Sequence, residues 1–82
     1  METIYLDARE LRSAADVHAG LKLLLDLPAY YGGNADALYD CLSERVEPVR
    51  VCLRGAPEGE AAEALRKVRM VVEDLDGEWK EL

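Results

Sequence analysis

The sequence predicts a small two-layer α/β fold, in which a three-stranded, mainly parallel sheet carries its helices on one face. Strand-like runs of apolar and β-branched residues lie at 3–7 and 49–53, and helix-like apolar spacing fills 14–25 and 60–75. Strands that alternate with helices are typical of parallel sheets, because a parallel connection needs a crossover that is usually helical. Right-handed crossovers that run the same way would gather all of the helices on one side.

The N-terminal half is expected to contain one strand followed by one helix. After the strand at 3–7, Ser13 begins a variant capping box in which Asp16 takes the place of glutamate. The helix at 14–25 should end before Pro28, because proline pushes the preceding residue out of helical geometry. Its buried face is predicted to consist of Val17, Leu21, Leu24 and Leu25.

The C-terminal half repeats this order of strand and helix. The strand at 49–53 follows Pro48, and the helix at 60–75 ends near Gly77, a plausible C-cap residue. The apolar stripe of this helix consists of Ala61, Leu65, Val68, Val72 and Leu75. Residues 78–82 are expected to form a last strand, although they are charged and alternate poorly.

Length and composition favour one domain that spans residues 1–82. Hydrophobic residues make up 50% of the chain, so a packed core is expected. No apolar run approaches the roughly 20 residues of a membrane helix, and the N-terminus lacks the features of a signal peptide. We therefore expect a soluble, cytoplasmic protein that does not bind membranes and is a monomer when free.

The charge balance points away from nucleic acid. Ten basic residues against 17 acidic ones give a formal net charge of −7. Nucleic acid binding relies on lysine and arginine to displace counterions from phosphates, so such a surface binds it poorly. A basic protein would instead be attracted.

The cysteines and the single histidine indicate no cofactor or metal site. Cys41 and Cys52 are expected to be buried free thiols, since two cysteines do not form a disulfide framework. Their spacing does not suit zinc, and His18 alone cannot complete four ligands. His18 is instead interpreted as a residue at the edge of the core.

The segment 27–42 is the most informative part of the chain. Tyr30, Tyr31 and a Gly-Gly pair form a loop, and Asn34 is a good N-cap for the helix that follows. One of the two tyrosines is expected to pack inward beneath the turn. Helical spacing turns Leu38, Cys41, Leu42 and Arg45 to one side, and Asp36, Tyr39, Asp40 and Glu44 to the other.

The acidic side of this helix is open to several interpretations. Like charges one turn apart cost about 0.2–0.5 kcal/mol per pair, so local stability does not favour the series Asp36, Asp40, Glu44. Two carboxylates could form an acid/base pair, part of a metal site, a binding surface, or merely a solvated face. The nearby tyrosines favour a binding surface, because tyrosine is enriched at protein interfaces.

The same segment carries a resemblance to a known family. Residues 27–42 read Leu-Pro-x-Tyr-Tyr-Gly-x-Asn-x-Asp-Ala-Leu-aromatic-Asp-Cys-Leu, where x marks the unmatched positions. This pattern resembles the signature of the barstar family, intracellular inhibitors of the bacterial ribonuclease barnase. A weaker likeness at 11–13, 16–18 and Leu21 extends the resemblance over the first half of the chain. The resemblance implies a barstar-like fold.

The resemblance also implies which residues bind a partner. The inhibitory surface would consist of the loop and the outer side of the helix: Tyr30, Gly32, Gly33, Asn34, Ala35, Asp36, Tyr39, Asp40 and Glu44. By that likeness Asp40 would mimic an RNA phosphate in the active site of a basic, guanyl-specific ribonuclease, and Asp36 would pair with a basic group at the rim. Tyr30 would pack against the catalytic histidine, and Tyr39 would cover the neighbouring surface.

The chain also departs from the family pattern. Tyr39 stands in place of a tryptophan, and the connection after the strand at 49–53 is too short for an additional helix. The family's acidic contact on the last helix falls near Val72, and we do not transfer it to Glu73 or Asp74. The final strand is charged here instead of apolar.

We therefore expect a non-enzymatic inhibitor of a basic, extracellular-type, barnase-like ribonuclease. One alternative is an interaction module of the same fold that binds another basic protein. Another is a small enzyme that uses Asp36 and Asp40, which requires a concave site around both carboxylates.

Overall fold

The computed structural model describes all residues from Met1 to Leu82. Three strands and three helices follow the predicted order: β1 (Glu2–Asp7), α1 (Ala14–Leu24), α2 (Ala35–Ser43), β2 (Val49–Arg54), α3 (Gly59–Asp74) and β3 (Glu78–Glu81). A short 3₁₀ turn, Ala8–Glu10, follows β1 and was not expected from the sequence. The strands form one sheet in the order β1-β2-β3, and both pairs are parallel. None of the helices is long and apolar enough to cross a membrane.

The core lies between one face of the sheet and the three helices. Ile4 and Leu6 of β1 pair in register with Val51 and Leu53 of β2, and all four side chains are buried. Trp79 of β3 stands beside Val51 and packs against the same core. The helices contribute the rest of the buried apolar residues, chiefly Val17, Leu21, Leu38, Leu42, Leu65, Val68 and Val72. The predicted two-layer α/β fold is confirmed.

The alternate residues of each strand point to the opposite face of the sheet, away from the core. Thr3 and Tyr5 of β1 align with Arg50 and Cys52 of β2, and Glu78 of β3 forms an ion pair of 2.8 Å with Arg50. Both cysteines are free thiols, with Cys52 buried and Cys41 half-buried.

Helices α1 and α3 end in the same way. Asp26 and Asp76 adopt left-handed backbone with φ of 51° and 64°, each directly after a leucine cap. The amide of Leu27 donates to the carbonyl of Lys22 at 2.9 Å, and the amide of Gly77 donates to the carbonyl of Val72 at 2.8 Å. These bonds are those of the Schellman motif, which satisfies the free carbonyls of a final helical turn.

Gly77 has a different purpose from the one predicted. Asp76 supplies the left-handed residue, whereas a Cβ atom on Gly77 would lie 2.4 Å from the Val49 carbonyl oxygen and 2.7 Å from Val72 Cγ1. Glycine is therefore needed because the backbone of α3 and β2 approaches this position closely.

The predicted buried face of α1 was wrong at one position. Val17, Leu21 and Leu25 are buried, but Leu24 is 42% exposed, whereas His18 is buried at the edge of the core on the opposite flank of the helix. The buried face of α1 is centred on Leu21, and Leu24 lies on the flank of that face that borders β1, where it lines an open groove.

Candidate protein-binding site

The loop before α2 is held to the core by Tyr31. The Tyr31 side chain packs against the core, and its hydroxyl lies 2.6 Å from Nδ1 of His18 on α1. The Tyr31 amide also donates to the Pro28 carbonyl at 2.9 Å, which closes a tight turn. Burial raises the pKa of Tyr31 to about 12, with a further contribution from Cys41, and burial lowers the pKa of His18. Both groups are therefore neutral near pH 7.

Tyr30 is the tyrosine that turns outward. Its side chain is 81% exposed, while its neighbour Tyr31 is anchored, so the expectation that one of the two packs inward is confirmed. Gly33 has a φ of 69°, which glycine adopts without strain. Gly32 does not have a positive φ, and a Cβ atom there would make only ordinary contacts at 3.5 Å.

Asn34 fixes the start of α2. Its Oδ1 accepts a hydrogen bond of 2.8 Å from the Ala37 amide, and its carbonyl accepts from the Leu38 amide at 2.9 Å. The cap orients the first turn, so that Leu38 enters the core while Asp36 points to solvent. The predicted N-cap is confirmed.

The acidic side of α2 faces solvent as predicted. Asp36, Asp40 and Glu44 are exposed, and Tyr39 between them is 43% exposed. None of the three carboxylates belongs to an ion pair within the chain. Glu44 was expected to lie within α2. It is instead the C-cap of this helix, directly after the last helical residue, Ser43.

Arg45, the arginine nearest in sequence to this surface, interacts with other parts of the chain. Arg45 is half-buried; it forms an ion pair of 2.6 Å with Glu2 of β1 and also donates to the Leu25 carbonyl. It therefore ties the end of α2 to β1 and α1 and leaves the acidic side of α2 without an internal counter-charge. The predicted inward placement of Arg45 is confirmed, and its ion pair explains it.

A groove of about 660 Å³ borders the first turn of α2. Asp36 and His18 line this groove, but Asp40 does not. The residues of α3 that line it are Ala64 and three charged ones, Glu60, Glu63 and Lys67. The two aspartates therefore do not share a concave site, which the enzyme alternative requires. No group of three or more His, Cys, Asp or Glu side chains is arranged to hold a metal ion.

The residues of α3 beside this site were missed by sequence reasoning. Nothing in the local pattern of Glu60, Glu63 or Lys67 marks them as neighbours of Asp36, because that proximity arises only when α2 packs on α3. Val72, where the resemblance would place an acidic contact, is buried in the core and cannot reach a partner. Glu73 is exposed and forms an ion pair of 3.4 Å with Arg69.

Comparison with known proteins identifies the family of this chain. The chain matches the family model described as "Barstar (barnase inhibitor)" over residues 1–82. The chain belongs to the barstar family. A protein of Bacillus subtilis (strain 168), named "Putative ribonuclease inhibitor YrdF", is 33% identical over 87 residues, which cover 98% of this chain and 96% of that protein. Barstar-family membership and this relative together support a role like that of a barnase inhibitor.

Proposed function

We propose that this barstar-family protein is a cytoplasmic inhibitor of a basic, guanyl-specific ribonuclease, whose active site it plugs with α2 and the preceding loop. The observation that carries the proposal is that Asp36 and Asp40 are accessible to a partner. Both carboxylates are exposed, one helical turn apart, and free of any ion pair within the chain. Carboxylates that formed ion pairs with arginines of this chain would not be free to form ion pairs with a partner.

Asp40 is the residue that we assign to the phosphate pocket of the ribonuclease. A carboxylate forms short, charge-assisted and often bidentate hydrogen bonds with arginine, as a phosphate does. Desolvation of such a pair inside the complex strengthens it, because the surrounding dielectric constant is lower than that of water. Asp36, one turn earlier, would pair with a second basic group at the rim of the pocket.

The aromatic residues would supply most of the apolar contact area. Tyr30 is exposed beside Tyr31, whose hydrogen bond to His18 holds the loop before a partner arrives. A preorganised loop loses less conformational entropy on binding. Tyr30 would pack against the catalytic histidine of the ribonuclease and Tyr39 would cover the adjacent surface, while Gly32 and Gly33 allow close approach to the backbone.

The remaining members of the proposed surface frame this contact. Asn34 and Ala35 form the first turn of α2, next to the loop, and Glu44 follows the last turn. The whole surface carries negative charge on a protein of net charge −7, which attracts a basic enzyme.

The proposal is tested by mixing the protein with a barnase-like ribonuclease and following the cleavage of a fluorescent RNA substrate. We expect cleavage to stop at a one-to-one ratio of inhibitor to enzyme. The triple variant Tyr30→Ala, Asp36→Ala, Asp40→Ala is the control, since all three side chains are exposed and should not be needed for folding. Unimpaired cleavage in the presence of excess wild-type protein would contradict the proposal for that enzyme.

A different basic partner is the second candidate, and the burial of Val72 favours it. A surface that lacks the acidic contact of the last helix would suit a target with a different arrangement of basic groups. Affinity capture with the wild-type protein and with the triple variant distinguishes the two. Specific recovery of a basic protein without nuclease activity would favour the second candidate.

A further inference from the structure

A second surface lies along the free edge of β1, beside α1. A groove of about 350 Å³ runs between this strand and the helix. Three large apolar side chains line it although they are solvent-exposed: Leu23 is 81% exposed, Tyr5 67% and Leu24 42%. Exposed apolar side chains that gather in one groove mark interaction sites more often than scattered ones do.

The backbone of β1 offers hydrogen bonds along the same groove. β1 pairs only with β2, so the groups on its outer side have no partner strand. Natural edge strands are usually protected by short length, by lysine or proline, or by a bulge. β3, the other edge, has four residues and includes Lys80, whereas β1 has six residues in continuous register with β2 and no lysine or proline. β1 is therefore the unprotected edge of this sheet.

The groove is apolar at one end and acidic at the other. The connection 8–13 returns the chain, so that Asp7 at the end of β1 lies near Asp16 in the first turn of α1. Glu10 lines the same end, and neither Glu10 nor Asp16 is part of an ion pair. Leu23 lies seven residues beyond Asp16, about 10 Å further along the helix. No lysine or arginine lines the groove, and the Asp7–Arg9 pair is the only local charge compensation.

We propose that this edge binds an extended segment of a partner protein as an additional strand beside β1, with apolar residues over Leu23 and Leu24 and basic residues beside Glu10 and Asp16. Strand addition supplies main-chain hydrogen bonds, while pockets for alternate side chains supply specificity. The charge of the groove selects a basic segment over an acidic one. The inference does not depend on the proposed inhibition of a ribonuclease.

A second copy of this chain fits the edge poorly. Full-length antiparallel pairing of two β1 strands would place Glu2 opposite Asp7 at both ends, and like charges in such positions are destabilising. Two molecules of net charge −7 also repel one another.

The groove is separate from the α2 surface. His18 and Leu24 lie on opposite flanks of the buried face of α1, which is centred on Leu21. His18 lines the groove beside α2, whereas Leu24 lines the groove beside β1. Occupation of one surface therefore leaves the other open.

The test uses a synthetic peptide of about ten residues, a typical strand length or slightly more, with valine and leucine in one half and lysine and arginine in the other. Amide NMR spectra of the labelled protein are recorded during titration. We expect shifts in β1 and along 16–24, and weakening by at least about tenfold when the peptide amides that would face β1 are methylated. Shifts confined to α2, or equal binding of the methylated peptide, would overturn the proposal.

Two variants of the protein make the test specific. Leu23→Gln should weaken peptide binding by about tenfold, since it removes an exposed leucine that the peptide would cover. Met70→Gln is the matched control, because Met70 is 54% exposed on α3 and does not line the groove. Equal weakening by both variants, or concentration-dependent dimers that involve β1, would overturn the proposal.

Discussion

The hydroxyl of Tyr31 lies 2.6 Å from Nδ1 of His18, and this bond joins the loop before α2 to α1 across thirteen residues of sequence. The two rings are tilted at 52° with centroids 5.9 Å apart. The bond explains why Tyr30, the next residue toward the N-terminus, is exposed in a loop of defined shape. The loop part of the inhibitory surface that we propose is therefore positioned by α1, which contributes no residue to that surface.

Tyr31→Phe should lower the free energy of unfolding by about 0.5–1.5 kcal/mol, the usual net value of one hydrogen bond. The aromatic ring would still pack against the core, so the loss reports mainly on the bond to His18. Urea unfolding followed by circular dichroism measures it. Tyr30→Phe is the matched control, because the Tyr30 side chain is exposed and forms no hydrogen bond within the chain. Equal effects of the two variants would show that the bond contributes nothing.

The stability should depend on pH through His18. Burial lowers the pKa of His18 from its ordinary value of 6.5, so the unfolded chain binds the proton more readily than the folded chain. The free energy of unfolding should therefore be unaffected above pH 7 or so and fall as the pH drops through about 6.5. His18 is the only histidine, and His18→Gln should flatten this part of the profile. An unchanged slope in that variant would contradict the assignment.

Acidic side chains paired with arginine contribute in a lower pH range. The side-chain hydrogen bond from Arg9 lowers the pKa of Asp7 to about 2, and Arg66 and Arg50 likewise lower the pKa of Glu63 and Glu78. These contributions are present above the ordinary carboxylate pKa and are lost as the pH falls through the lowered values. The pH range of the His18 effect and that of the carboxylates can therefore be separated by measuring the free energy of unfolding over one series of pH values.

Gly77→Ala should destabilise the protein by about 3 kcal/mol or more, because overpacking against backbone cannot be relieved by a change of rotamer. The added Cβ would lie 2.4 Å from the Val49 carbonyl oxygen and 2.8 Å from the Val72 carbonyl oxygen. Thermal unfolding measures the change. Gly32→Ala is the control, since a Cβ there meets its nearest atoms at 3.5 Å. A stable Gly77→Ala variant would mean that α3 and β2 can separate at little cost.

The rate of association with a basic ribonuclease should fall as salt is added. A net charge of −7 steers a cationic partner over distances that are screened beyond about 10 Å at 0.1 M salt. Stopped-flow measurements should show the association rate constant falling severalfold between low and physiological salt, with a smaller change in the dissociation rate constant. An association rate that ignores salt would indicate that the acidic surface does not guide the encounter.

Much of the fold follows from local pattern. The apolar run 49–53 and the stripe from Ala61 to Leu75 determine β2 and α3 within one residue at each predicted end. β3 forms despite its charges, because Trp79 reaches the core and its charged neighbours lie at the edge of the sheet. Apolar spacing therefore predicts which elements form when one face of each must be buried.

Features that depend on contacts between distant segments could not be predicted in this way. The bond between His18 and Tyr31, the ion pair between Arg45 and Glu2, and the groove shared by Asp36 and Glu60 each join residues from different elements. Leu24 has the spacing of a core residue but lies on the flank of α1 that lines the open groove beside β1. The solvent-facing side of α2, by contrast, was predictable. Leu38 and Leu42 must face the core, so the acidic residues on the other side of the helix must face solvent.

The most direct measurement is the affinity of a barnase-like ribonuclease for wild-type protein, Asp40→Ala and Glu58→Ala, by titration calorimetry. Both acids are exposed and unpaired, and both substitutions remove one negative charge, but Glu58 precedes α3 and lies outside the proposed surface. We predict that Asp40→Ala weakens the complex by about 2–5 kcal/mol, while Glu58→Ala changes it by less than about 0.5 kcal/mol. Equal affinities of the two variants would contradict the claim that Asp40 occupies the phosphate pocket.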